Sequence, residues 1–435
     1  MTRELNVYLH GEKAGVLYED QMGYLSFRYD PAALRPLSVR MPVRDEQYDR
    51  FYAEPFFDNL APEGEALEII AGKFRVSEDN IFSILDKIGG DCAGAVSLYG
   101  GDMPHSADLP PQIIDDNTIA KIIDQLPENP LLTGIDNAPR LSLAGAQSKF
   151  AVFRSYSDNK TYYRSDDNHP TTHIIKIANK RFPDILENEL FCMKLAGLCL
   201  GGNVKPGTIS VDMRIAAGHK YLEIERYDRR INTDKDTNGK TGTGVSVQHS
   251  AQRIHQEDFC QALGYLARRK YQADGGPGIR DLHNAILEYS SQKAVDSYRF
   301  IELLTFNYLI GNADAHAKNF SLLHANGSGH IVLAPAYDLL SVEVYPQKSV
   351  SHEIAMLING KGRYDKVTQS DWLALYKQLG LNPASTLREM NRNYQNIVST
   401  AKSLRDELNQ SDLTESEIYD SIIAVIEKRY ATIVD

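Results

Sequence analysis

The sequence predicts a two-lobed α+β fold, with a strand-rich N-terminal lobe and a helical C-terminal lobe, and three observations predict it. Short runs at the period of half-buried strands fill much of the first half of the chain, as in Leu5–Leu9 and Tyr221–Tyr227. From about residue 256 longer helical periods take over, and Ser297–Ile310 is apolar nearly all round, the pattern of a central buried helix. Between the two regions, residues 231–250 are rich in Gly, Thr, Asp and Asn and read as a mobile loop or an extended hairpin.

The elements follow in order. Leu5–Leu9, Lys13–Tyr18 and Tyr24–Tyr29 form a meander turning at Gly11 and Gly23. Phe56, Phe57 and Leu60 read as core, and Pro62–Lys73 as a helix that opens on proline and ends near Gly72. Residues 103–140 carry prolines and acids and read as a linker with one helix. Leu141–Phe153 reads as strand, small-residue turn, strand. Thr172–Ile177 is an apolar strand enclosing Lys176, and Leu186–Ala196 is a helix offering Glu187 or Glu189. The tail carries helices near 370–379, 386–408 and 415–431, the last opening on a capping box at Thr414–Glu417.

The chemistry starts at Asp314-Ala-His-Ala-Lys-Asn319, followed by Asp338. Phosphoryl transfer needs a carboxylate to orient the attacking hydroxyl and accept its proton, and oxygen ligands for Mg²⁺. An Asp-x4-Asn loop with a downstream Asp supplies both in protein kinases, which makes the expected fold protein kinase-like. A lysine inside a buried strand is costly unless an anion meets it, and nucleotide phosphates plus a helix glutamate would meet Lys176. On an edge strand Lys176 would instead snorkel to water. Ala144, Gly145 and Ala146 would let backbone N–H groups approach phosphate oxygens, although a tight hairpin uses the same residues. Glu225, Arg226 and Tyr227 end a strand whose backbone could hold an adenine ring.

With these residues in order, the chain resembles the HipA-type serine/threonine kinases, the toxin half of bacterial toxin–antitoxin pairs. The likeness runs through Phe56–Pro62, Gly94–Val96, Ser142–Lys149, Thr172–Lys176, Ile224–Arg230 and Gln256–Gln261. It continues in Tyr271–Gly278, Leu309–Phe320 and Ala336–Asp338, so it spans about residues 5 to 345. The resemblance implies Asp314 as catalytic base and Asn319 and Asp338 as Mg²⁺ ligands. It implies an ATP site formed by Ala144, Gly145, Ala146, Gln147, Ser148, Lys149, Lys176, Glu225, Arg226, Tyr227, His316, Ala317, Lys318, Asn319, Tyr337 and Asp338. Ser142 matches the serine whose autophosphorylation expels the phosphate loop. Position 148 is serine where some members carry glutamate, so Ser148 is a second candidate acceptor. The implied partners are a HipB-like helix-turn-helix antitoxin, operator DNA through that complex, and a protein substrate of the aminoacyl-tRNA synthetase class, whose loss halts growth. A loop bearing Lys361, Arg363 and Lys366 would touch the DNA, or is simply a solvated basic loop.

The implied domain plan is a β-rich subdomain at 1–100, a linker and helix at 101–140, and the nucleotide-binding part of the N-lobe at 141–230. The mobile loop at 231–250 and the helical C-lobe with its catalytic loop at 251–435 complete it. Apolar content of 42% and charged content of 24% in 435 residues are ordinary for a globular chain. No run approaches the roughly 18 apolar residues that cross a membrane, the start lacks a secretory signal, and the cysteines show no metal spacing. A cytoplasmic protein is expected. The net charge of −11 argues against nonspecific coating of DNA. Two rival readings remain: a small-molecule kinase of the same shape, which needs an acidic acceptor pocket, and a catalytically quiet co-repressor.

Overall fold

The structure is a computed structural model of the chain and describes residues 2–103, 112–133, 140–143, 145, 147–154, 161–165, 169–179, 181–200, 209–231, 251–325 and 329–434. Ala144 and Ala146 of the expected phosphate loop, and 232–250 of the expected mobile loop, lie outside the described residues.

The first hundred residues build a four-stranded antiparallel sheet in the order Leu25–Tyr29, Glu12–Glu19, Arg3–Leu9, Val96–Tyr99. Alternation puts Leu5, Val7, Leu17 and Phe27 on one face, where Phe56 and Phe57 of the helix Arg50–Asp58 cover them. The next helix runs Gly64–Phe74 and stops at Arg75, whose φ of +55° no helix continues.

A second, six-stranded sheet carries the chemistry. Its order is Ile113–Ile114, Tyr162–Tyr163, Lys149–Arg154, His173–Ile177, His219–Glu225, Val211–Ala216, and every described pairing is antiparallel. Two expectations change here. The 103–140 stretch is more than a linker, because Ile113–Ile114 closes one edge of this sheet. Leu141 does not start a strand; it makes a single parallel bridge to Asp91. Lys176 lies on a strand paired on both sides, which rules out the edge-strand reading. The helix Ile185–Cys199 buries Leu190 and Phe191 in the core that the sheet shares with the C-lobe.

The C-lobe is built around the helix Lys293–Leu309, buried along most of its length. It is less purely helical than expected. A three-stranded sheet, His255–Asp258, Ser321–Ala325 and His330–Leu333, and a hairpin, Glu353–Ile358 with Lys361–Arg363, interrupt the helices. The tail forms four helices: Gln369–Gln378, Pro383–Tyr394, Ile397–Leu408 and Ile418–Val434. The expected 386–408 helix breaks between Tyr394 and Ile397. The capping box also fails, because the last helix begins only at Ile418, four residues after Thr414, whose hydroxyl donates to the Leu408 carbonyl at 2.6 Å. No helix among the described residues is long and apolar enough to cross a membrane.

A buried ionic network ties the first sheet to the second. Asp91 accepts from Arg229 at 2.8 Å and lies 3.4 Å from Arg253, while Asp228 accepts from Arg226 at 2.9 and 2.8 Å. Thr171 donates to Asp91 at 2.7 Å and the Gly94 N–H to Asp228 at 2.7 Å. Burial alone would raise the Asp91 carboxyl, but Arg253, Arg229 and Arg226 hold it well below the usual range. Removing one partner strands the opposite charge in a dry site. Asp91→Ala is therefore expected to cost roughly 3–5 kcal/mol, read as a lower urea midpoint than that of Asp20→Ala on the exposed turn.

Candidate active site

Lys176 is the centre of the site. Its register partner on the neighbouring strand is Lys149, so two ammonium groups face one another across the sheet. Like charges directly opposite destabilise a sheet unless anions join them. Two do. Lys176 Nζ lies 2.6 Å from Glu189 Oε1 and 2.6 Å from Asp338 Oδ1. Burial would lower the Lys176 ammonium, and the two carboxylates raise it above its ordinary value instead. Asp338 is held down to about 2: burial opposes this, and Lys176, Lys149 and His316 outweigh it. Of the two candidate helix glutamates, Glu189 is the partner; Glu187 pairs with Lys220 at 2.8 Å. At Lys149 burial and the Lys176 charge outweigh Asp338, Glu63 and Glu189 and lower the ammonium to about 8.

The 314–319 loop is aimed by its anchors. It leaves the buried helix at Gly311, where φ is +68° and a Cβ would lie 2.8 Å from Val425 and 2.9 Å from Glu343. Only glycine fits that turn. Asn312 then donates to Asn307 at 2.7 Å and accepts from the Asp314 N–H at 3.1 Å. Asn319 Nδ2 closes the loop on the Asp314 carbonyl at 2.9 Å. The Asp314 carboxylate is 42% exposed, takes a hydrogen bond from the Tyr271 hydroxyl, and lies 3.9 Å from His316 Nε2. His316 is buried, which lowers its imidazole to about 4, so it is neutral at ordinary pH. The Tyr337 hydroxyl donates to the Lys318 carbonyl at 2.7 Å, bringing the Asp338 segment onto the Asp314 loop. Asp338 itself adopts φ +56°, a left-handed conformation that Asp tolerates better than most residues.

The remaining candidates divide. Gly145 has φ +94°, and a Cβ there would lie 2.9 Å from Lys149 Nζ, so the loop passes directly over that ammonium. Gln147 Nε2 is buried without a hydrogen-bond partner, as is His316 Nδ1. The unpartnered Gln147 amide, two positions from Lys149, fits an anion with many acceptor oxygens. Ser148 is half-buried, and its carbonyl accepts from Ile177 at 3.3 Å. Ser142 is fully buried and donates to the Leu60 carbonyl at 2.6 Å. Tyr227 stacks on Tyr337 with centroids 5.3 Å apart. The Arg226 side chain turns away into the Asp91–Asp228 network, and the N–H groups of Glu225 and Arg226 already donate to Ser210 and Thr172. Ala317 is buried. Asn319 and Asp338 carry side-chain oxygens of the kind Mg²⁺ takes. No cluster of three His, Cys, Asp or Glu that could hold a metal occurs among the described residues.

Lys361 and Arg363 lie far down the chain on the exposed hairpin, with Lys366 just after it. Arg363 pairs with Asp365 at 3.0 Å and Lys366 approaches Asp365 at 3.7 Å. Sequence reasoning missed Glu63, Lys270 and Tyr271 as parts of this site. Glu63 sits between Lys318 at 2.6 Å and Lys270 at 2.7 Å, which hold its carboxyl well below the usual range although burial would raise it. Tyr271 stood inside a stretch quoted for the resemblance, but nothing local tied it to Asp314.

The comparisons with known proteins agree along the chain. The HipA-like C-terminal domain matches residues 141–403 and the HipA N-terminal domain matches residues 5–99. A Sinorhizobium fredii protein named putative kinase Y4mE is 37% identical over 413 residues, 92% of this chain and 91% of the relative. The serine/threonine-protein kinase toxin HipA of Shewanella oneidensis is 29% identical over 359 residues, 80% of this chain and 75% of the relative. In fold, the chain superposes on HipA from the solved Shewanella oneidensis complex of HipA, HipB and operator DNA. The TM-score is 0.78 at 24% identity, covering 99% of this chain and 96% of that one. The two-lobed kinase-like fold is thereby shown.

The Lys149 geometry makes a pH prediction. Its folded pKa of about 8 lies below the ordinary lysine value, so the unfolded chain binds the proton more tightly. Stability should therefore rise as pH climbs from about 8 toward that ordinary value. Affinity for a polyphosphate should move the other way, falling toward about tenfold per pH unit above this pKa as the cation is lost. Titrating a fluorescent ATP analogue against pH checks this, and Lys149→Arg, which stays charged, should flatten the curve.

Proposed function

The chain belongs to the HipA family, and from that premise we propose that it transfers the γ-phosphoryl group of ATP to a serine or threonine hydroxyl of a protein. One observation carries the reading: Lys176 bridges Glu189 and Asp338, while Tyr337 fastens the Asp338 segment to the loop bearing Asp314 and Asn319. When bound, ATP supplies the phosphoryl group and Mg²⁺ screens its charge. Lys149, Lys176 and the Gln147 amide are the groups that would meet phosphate oxygens, and Asn319 and Asp338 would hold the metal. The partly exposed Asp314 carboxylate, held by Tyr271 and by Asn312, would orient the acceptor hydroxyl and take its proton. Stacked Tyr227 and Tyr337 offer an aromatic wall beside the hinge.

The finer reading is a toxin whose partner is a HipB-like helix-turn-helix antitoxin on operator DNA, and whose substrate is an aminoacyl-tRNA synthetase. Its support is the similarity to a protein named a kinase toxin and to a HipA–HipB–operator structure. Lys361, Arg363 and Lys366 are exposed and available to a DNA backbone. Autophosphorylation at Ser142 would silence the enzyme. The hydroxyl now fills a buried seat on the Leu60 carbonyl, and a phosphate carrying nearly two charges cannot fit there. The small-molecule reading also keeps one supporting observation, an acidic cavity beside the site.

Incubation with labelled ATP and Mg²⁺ tests the proposal. Label should appear on protein, with mass spectrometry locating it at Ser142 or Ser148. Asp314→Asn should lower turnover by roughly 10²–10⁴-fold without loss of folding. Full activity in that variant would remove Asp314 from the chemistry.

A further inference from the structure

A cavity of about 550 Å³ lies between the first sheet's helices and the C-lobe, and Tyr271 forms part of its wall. The same tyrosine hydroxyl hydrogen-bonds Asp314, so the cavity ends one side chain from the candidate base. Its charge is lopsided. Glu19 and Glu63 in the lining are paired with Arg3 and with Lys270 and Lys318. Glu54, Asp58, Glu78 and Asp79 also line it, and none has an ion pair within 4 Å among the described residues. Among the described lining residues, Arg268 is the one cation outside those pairs.

Glu54 and Asp58 carry the argument further than charge counting does. They stand four apart on the helix Arg50–Asp58, where like charges repel. Asp58 ends that helix, where the helix dipole disfavours an anion, and both carboxylates are partly buried. Burial raises each carboxyl; Asp58 adds to the rise at Glu54 and Glu63 to that at Asp58, while Arg268 opposes both. Asp58 accepts a backbone hydrogen bond from Ala267 at 2.7 Å, and Glu54 only a long one from Leu25 at 3.4 Å. Repulsion and burial thus act on both residues facing the cavity, and the helix dipole acts on Asp58 as well. A cation entering it would relieve all three.

We propose that this cavity is the acceptor-substrate site, and that Glu54 and Asp58 select a protein segment carrying lysine or arginine next to its acceptor serine or threonine. The inference rests on the kinase reading and names its substrate class. Exposed Glu78 and Asp79 at the outer rim would draw in further basic residues, a contribution that salt screens. A flexible segment suits a cavity that runs from a buried catalytic loop to an exposed rim.

The test uses the full-length protein, labelled ATP with Mg²⁺, and serine/threonine peptide libraries in which the flanking positions are fixed as Lys/Arg, Ala or Glu. Basic peptides should be phosphorylated preferentially, and Glu54→Gln with Asp58→Asn should raise their KM about tenfold. The same double variant should unfold at an equal or higher temperature than the wild type, since it removes a repulsion. A purely structural role predicts the reverse, a lower unfolding temperature with KM unchanged. Self-labelling without preference for basic peptides, or with none of them labelled, overturns the inference and leaves the kinase reading intact. Phosphorylation of an amino sugar in place of peptides also overturns it. Absence of any phosphoryl transfer would instead sink the kinase reading.

Discussion

Two lysines opposite one another on adjacent central strands set the terms for this fold. Lys149 and Lys176 cannot both stay charged in a buried sheet without anions, and each anion comes from a different part of the chain. Glu189 arrives on a helix packed against the sheet, and Asp338 arrives on a left-handed kink after the C-lobe strands. One ammonium thus joins the sheet, its helix and the opposite lobe. Glu189 and Asp338 balance the two ammonium groups, and Asp338 comes from the far lobe and stays partly exposed. A polyanion can replace Asp338 at Lys176 without leaving either cation bare.

The N-terminal subdomain belongs to the same electrostatic design. Glu63 reaches Lys318 inside the Asp314 loop and Lys270 beside Tyr271, so the loop is held partly by a residue from the first sheet's side of the molecule. The Asp91–Asp228 cluster repeats the device behind the hinge, with three arginines on two aspartates. Buried ion pairs add little net stability over an apolar core, yet they fail badly when one partner is missing. They therefore reward one arrangement of subdomain, hinge and catalytic loop over its alternatives.

What could be read in the sequence was local or carried by charge in an improbable place. Asp314 and Asn319 sit five positions apart, and Lys176 interrupts an apolar run, so neither needs tertiary knowledge. The central helix announced itself by being apolar nearly all round. Glu63, Tyr271 and Asp91 act through partners more than forty positions away, and no period encodes such a meeting. The misplaced capping box shows a local limit. The Thr414 hydroxyl can accept from a backbone N–H of a following helix or donate to the end of the preceding one, and here it donates to the Leu408 carbonyl. The edge strand Ile113–Ile114 is only two residues long, too short to show any alternation.

The Asp91 segment also joins two parts of the proposed mechanism. Its N–H donates to the Arg140 carbonyl and its carbonyl accepts from the Ser142 N–H, which pins the root of the phosphate loop. Its carboxylate meanwhile grips Arg229 and contacts Arg226, one residue before Tyr227 at the hinge. A phosphate on Ser142 would add charge next to this residue and evict the serine from its seat on Leu60. Repulsion between that phosphate and the Asp91 carboxylate would be offset by the surrounding guanidiniums only if the loop turned toward them. Loop departure and hinge disturbance would then share one cause, and autoinhibition in this chain would follow from where Asp91 stands.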